Sequence, residues 1–106
     1  PAFLSIVPTA AAELMQRPID ADVSSLKYSL CGSAPLPVEL FKKFESSTGI
    51  KITEGYGMTE ATCNISVNPI EGERKIGSVG IPLPYTKIKI IKENRYNSYE
   101  IYFIIE

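Results

Sequence analysis

The chain has 106 residues, 44% hydrophobic and 22% charged, with a formal net charge of −1 and no histidine. This is the composition of one small globular domain with its own core; it leaves no basic stripe for nucleic acid. It also has no apolar run near the ~20 residues that span a bilayer, and no histidine for a Ser-His-Asp triad or a His-ligated metal.

In chain order, "AFLSIV" (residues 2–7) is short, apolar and bounded by Pro8, the pattern of a buried strand. "TAAAELMQR" then reads as a helix with Thr9 as N-cap and Pro18 as stop. "IDADVSSL" is a polar connection, and "KYSLCG" (residues 27–32) is a second strand ending on a glycine. "SAPLPVELFKKFESSTG" is the clearest helix. Pro37 suits its first turn, Pro37, Leu40, Phe41 and Phe44 share a face, Lys42, Lys43 and Glu45 point away, and Gly49 closes it. "IKITEGYG" is a third strand with Ile50 and Ile52 on one side.

Strand, helix, strand, helix, strand at this spacing predicts an α/β fold, a parallel sheet with crossover helices. Ligands in such sheets sit beyond the carboxyl ends of the strands. Two segments lie there: Gly32, Ser33, Ala34 and Pro35 after the second strand, and residues 55–60 after the third. Within "EGYGMTEAT" (residues 54–62), Tyr56 stands between Gly55 and Gly57, an arrangement that disfavours a plain strand. The stretch therefore reads as a turn at a strand end or a loop shaped around a ligand, facing the same crevice as the first segment.

After Glu60, "CNISVNP" is a further strand candidate, "EGERKIGSVGIPLP" a Gly/Pro-rich loop, and "YTKIKII" a strand of a different layer with Ile88 and Ile90 on one face. "EIYFII" in the closing stretch is a strongly apolar strand candidate and, with an open edge, an aggregation liability. Cys31 and Cys63 form no CxxC pair and read as reduced thiols of a cytoplasmic protein, Cys31 buried.

"YSLCGSAPLPVELFKKFESSTGIKITEGYGMTEAT" followed by "GERKIGSVGIPLP" closely resembles the large N-terminal domain of adenylate-forming enzymes, especially acyl-CoA synthetases, over about residues 7–91. The core of the resemblance is "YGMTE", Tyr56 to Glu60. It implies a chain that is part of an AMP-binding domain: residues 1–68 carry the βαβαβ unit with its nucleotide loops, and residues 69–106 a Gly/Pro-rich loop and β segment. After about Lys92 the family's glycines and proline are missing, which reads as a divergent strand or a lost reading frame.

The resemblance also implies an ATP- and Mg²⁺-dependent ligase that joins a carboxylic acid to AMP and then to CoA, with fatty acids among the acids used. Thr59 would then hold the α-phosphate and Glu60 the Mg²⁺ ion, both as catalytic groups. Tyr56 would stack on adenine, and Gly32, Ser33, Ala34 and Pro35 would lie along its other side. Gly55, Gly57 and Met58 would border the acyl pocket, near Val7, Pro8 and Thr9. Each assignment has a plainer rival: an N-cap for Thr59, a dipole-stabilised helix start for Glu60, a strand-end aromatic for Tyr56, packing for Met58, and a helix-introducing turn for residues 32–35.

The family's phosphate loop, its ribose-binding aspartate and its adenylation lysine are not among these 106 residues. The expectation is therefore that the chain alone is inactive and self-associates through uncovered apolar faces. Two alternatives stand beside the ligase reading: a non-catalytic remnant acting at most as a weak nucleotide-binding or interaction module, and an aryl-acid or amino-acid adenylating enzyme.

Overall fold

The computed structural model describes residues 2–92 and 99–105, with side chains described up to residue 90. The elements are β1 (Phe3–Ile6), α1 (Pro8–Leu14), β2 (Tyr28–Cys31), α2 (Val38–Thr48), β3 (Lys51–Met58), β4 (Cys63–Val67), β5 (Ile81–Pro82), β6 (Thr86–Lys92) and β7 (Tyr99–Ile105). A 3₁₀ turn, Thr59–Ala61, joins β3 to β4.

Strands β1 to β5 form one sheet in chain order. β1, β2 and β3 run parallel, with α1 and α2 as the expected crossovers. β4 is antiparallel to β3, and β5 to β4, so the sheet is mixed. The reason is length: residues 59–62 cannot make the crossover of a dozen or more residues that a parallel return requires. β6 and β7 pair antiparallel as a separate two-stranded sheet, from Thr86 opposite Ile105 to Lys92 opposite Tyr99. The tail read as atypical after Lys92 includes residues 93–98, which lie outside the described residues.

Register explains the core. Leu4, Ser29 and Ile52 form one row across the parallel strands, and Ile6, Cys31 and Glu54 form the next row on the same face. That face carries both helices, as right-handed crossovers between strands ordered one, two, three demand. Ala11 from α1 and Met15 at its C-cap meet Phe41 and Phe44 from α2 there, over Ile6, Cys31 and Ile52. On the other face, the Phe3 and Tyr28 rings pack at a 55° tilt with centroids 5.2 Å apart. Phe3 is 44% exposed, so β1 is not the buried strand its apolar sequence predicts. It stands at the sheet edge.

The helices depart from expectation at two caps and one side chain. Thr9 is not the N-cap: Pro8 takes the first helical position and Val7 the cap, without a side-chain bond. Proline's preset φ starts the helix two residues early. Pro37 is likewise the cap of α2 rather than part of its first turn, while Gly49 closes the helix at φ 70 as expected. Glu45, predicted to face solvent, is half-buried because its carboxylate accepts the Ile52 N–H at 3.0 Å and pairs with Arg74.

Candidate functional site

Of the two readings left open for this stretch, "EGYGM" is neither turn nor loop: the third strand read in "IKITEGYG" extends through it. β3 continues through Met58 because β4 pairs with its second half, Gly55 opposite Val67 and Met58 opposite Cys63. The register slips between Tyr56 and Gly57: Tyr56 faces Ser66 but Gly57 faces Asn64, which leaves Ile65 as the extra residue of a bulge. At Gly57 the two backbones are so close that a Cβ would lie 1.7 Å from the Cys63 carbonyl oxygen. The tight return is also visible in Thr62 and Cys63, both non-glycine residues at positive φ, 60° and 76°.

At the carboxyl ends of β1, β2 and β3 lies an open cleft of about 880 Å³. One wall is Gly32 and Ser33, a second is Gly55 and Gly57 to Thr59, and the end of β1 with Val7 and Ala10 forms a third. Thr62 to Asn64 close the rim. The two segments singled out in the sequence thus meet in one crevice. Ala34, Pro35, Tyr56 and Glu60 do not line it, although Glu60 adjoins Thr59 in the same 3₁₀ turn and is exposed. Ser33 is held at φ 74, which turns the chain out of β2. A larger hollow of about 1250 Å³ beside α1 and residues 16–26 contains none of the predicted site residues.

Three residues that sequence reasoning passed over hold this arrangement. Glu54, 8% exposed, accepts the Leu36 N–H on Oε1 at 3.1 Å. Asn68, 4% exposed, donates from Nδ2 to the Glu54 and Ser78 carbonyls and accepts the Lys75 N–H on Oδ1 at 3.2 Å. Its backbone N–H bonds the Glu54 carbonyl at 3.0 Å, and its carbonyl accepts from Thr53 Oγ1 at 2.7 Å. Arg74 donates to the Ile52 carbonyl at 2.8 Å, pairs with Glu45 and lies over the Phe41 ring. Asn68 and Arg74, with Glu45, satisfy backbone groups of the first half of β3 along the edge away from β2, where no strand among the described residues pairs with it. The one sequence signal was a charged or amide residue beside a strand rich in buried positions, which is too common to single out.

Cys31 is fully buried and Cys63 exposed; both thiols are free. Burial pushes the Cys31 thiol up from its ordinary 9.0 to about 11, and the nearby Glu54 carboxylate adds to the rise. Its folded form keeps the proton while the unfolded chain loses it, so stability is full below about pH 9 and falls as pH climbs towards 11. A disulfide-exchange reagent at neutral pH is expected to label Cys63 rapidly and Cys31 only on denaturation. Equal labelling rates in the folded chain would contradict this packing.

Residues 1–99 match the family described as AMP-binding enzyme. The chain belongs to the AMP-binding enzyme family. It is 44% identical over 90 residues to the marinolic acid–CoA ligase of Pseudoalteromonas sp. (strain SANK 73390), covering 84% of this chain and 14% of that protein. It is 50% identical over 72 residues to a long-chain-fatty-acid–CoA ligase of Bacillus subtilis, covering 68% of this chain and 13% of that one. The crystal structure of ATP-bound MatB from Rhodopseudomonas palustris superposes with a TM-score of 0.78 at 30% identity, over 89% of this chain and 19% of that one. This AMP-binding family member therefore spans about a seventh of the length of the curated relatives it matches. Its fold is the α/β fold of those relatives' AMP-binding domains. No helix among the described residues is long and apolar enough to cross a membrane.

Proposed function

We propose that this chain forms part of the nucleotide- and acyl-binding surface of an ATP-dependent carboxylic acid:CoA ligase, working in the cytoplasm. The observation that carries the reading is the cleft in which Gly32 and Ser33 face Gly55, Gly57, Met58 and Thr59 at the carboxyl ends of parallel strands. Thr59 supplies a hydroxyl to a phosphate oxygen there, and the glycines leave the wall free of side chains that would hold a nucleotide off. Tyr56, Ala34 and Pro35 stand just outside the lining and contribute to the adenine side only as neighbours of it. Val7, with Ala10, forms the end of the cleft assigned to the acyl group.

Magnesium fits these residues. It is held by one or two carboxylates together with substrate phosphates and water. Glu60 offers one exposed carboxylate beside Thr59, and no cluster of acidic and cysteine residues builds an all-protein cage among the described residues. When bound, the ion would offset the phosphate charge, and Glu60 would hold it there. The named relatives are CoA ligases for fatty and other carboxylic acids, which supports CoA as the acceptor and a carboxylic acid as the substrate. The proposal includes that the 106 residues are inactive alone, and that the open face bearing Phe3 and Tyr28 supports self-association of the isolated chain.

Calorimetric titration of the purified chain with Mg·ATP and with N-octanoyl sulfamoyl adenosine tests the reading. Saturable binding is expected, weakened about tenfold by Thr59→Ala and by Glu60→Gln through loss of a charge-assisted contact. An absence of binding up to millimolar ligand would leave the cleft as a structural remnant and overturn the proposal for this chain.

A further inference from the structure

We infer that Glu54 is a positioning residue for the cleft, holding the segment at residues 32–36 against the part of β3 that begins at Gly55. The inference rests on the reading of the cleft as an adenylate site. Glu54 lies in the row of Ile6 and Cys31, at the end of the helix-covered face of the sheet. Its own side chain reaches forward to the Leu36 N–H, while its backbone carbonyl is gripped twice by Asn68. The next residue, Gly55, is cleft wall, and Gly32 and Ser33 form the facing wall. A buried carboxylate therefore sits at the junction of the two walls, anchored to one by the chain and to the other by a hydrogen bond.

A carboxylate is a costly group to bury merely to fill space, since an apolar side chain of similar size would pack without a desolvation penalty. What Glu54 supplies and an apolar residue would not is an acceptor at a set reach for the N–H that precedes α2. That N–H would otherwise be buried without a partner, because Leu36 is only 3% exposed. The bond to Leu36 ties down the end of the segment, and the left-handed Ser33 turns its start.

Two substitutions separate reach from charge. Glu54→Gln keeps an acceptor oxygen at the same distance and loses the charge; Glu54→Asp keeps the charge and withdraws the oxygen by one methylene. Binding of N-octanoyl sulfamoyl adenosine is measured by calorimetry, and protection of the Leu36 amide by hydrogen exchange. Glu54→Gln is expected to retain affinity within about threefold and to keep Leu36 protected. Glu54→Asp is expected to lose about tenfold in affinity and to release the Leu36 amide while the amides of β2 and β3 stay protected. The reverse order of the two variants, or equal affinity for both, overturns the inference.

If the unsubstituted chain does not bind the mimic, the functional reading has failed, and hydrogen exchange alone decides the positioning role. Leu36 protection kept in Glu54→Gln and lost in Glu54→Asp supports it, and protection unchanged in both overturns it. Should Glu54→Asp fail to fold, Glu54→Gln decides, since weakened binding or an exchanging Leu36 amide in that variant contradicts an acceptor role.

Discussion

Gly57→Ala is expected to destabilise the fold by about 3 kcal/mol or more, at the upper end of the cost of overpacking. The added Cβ would meet the Cys63 carbonyl oxygen at 1.7 Å and its carbon at 2.7 Å. Both are backbone atoms of a paired strand, so no rotamer change relieves the clash, and the β3–β4 register at Gly57 and Met58 must break. Gly32→Ala is the matched control. Gly32 lies across the same cleft, but a Cβ there meets only the Gly55 carbonyl oxygen, at 3.4 Å, an ordinary contact. Urea denaturation of the two variants checks the contrast. A Gly57→Ala midpoint within error of the parent's would show that the bulge does not have this geometry. The pair also separates two reasons for glycine in the motif: Gly57 is demanded by the fold itself, whereas any loss of ligand binding in a stable Gly32→Ala chain reports on the cleft.

Asn68→Asp carries the second large effect, a loss of about 3 to 5 kcal/mol, the range for a buried charge without compensation. The change is nearly isosteric. Yet it replaces an NH₂ that donates to the Glu54 and Ser78 carbonyls with an oxygen that both carbonyls repel. Of the side-chain bonds, only the one accepted from the Lys75 N–H survives. Asn68→Ala should cost less, about 1 to 3 kcal/mol, because it leaves partners unsatisfied but introduces no charge. Thermal melts of the two variants give the order directly, and an alanine variant less stable than the aspartate variant would remove Asn68 from its role as the donor that pins residues 75–78 to β3.

These two positions mark where reading by residue pattern stops. The elements themselves were legible. Alternating apolar runs, Pro37 and Gly49 around α2, and the order strand, helix, strand all depend on neighbours within a turn or two of chain, so local chemistry suffices to read them. The convergence of residues 32–35 with residues 55–60 followed from topology, because parallel strands with right-handed crossovers bring their carboxyl ends to one edge. The strand read in "IKITEGYG" stands and runs one residue further, to Met58, but the glycines around Tyr56 left a strand-end turn or a loop equally open, because the pairing that decides it comes from β4.

The amino-acid sequence by itself determined the α/β class, the helix ends near Gly49, the burial of Cys31 and the AMP-binding family, through the "YGMTE" stretch and the glycine and proline positions around it. Only the tertiary structure decided that Gly57 is required by the Cys63 carbonyl, that Glu45 and Arg74 satisfy Ile52 on the edge of β3 away from β2, and that Glu54 and Asn68 tie the walls of the cleft together. The physical reason is range. Periodicity and capping act over a few residues, whereas a buried polar group finds its partner wherever the fold leaves a backbone N–H or carbonyl unpaired, and Glu54 and Leu36 are brought together across 18 residues of chain.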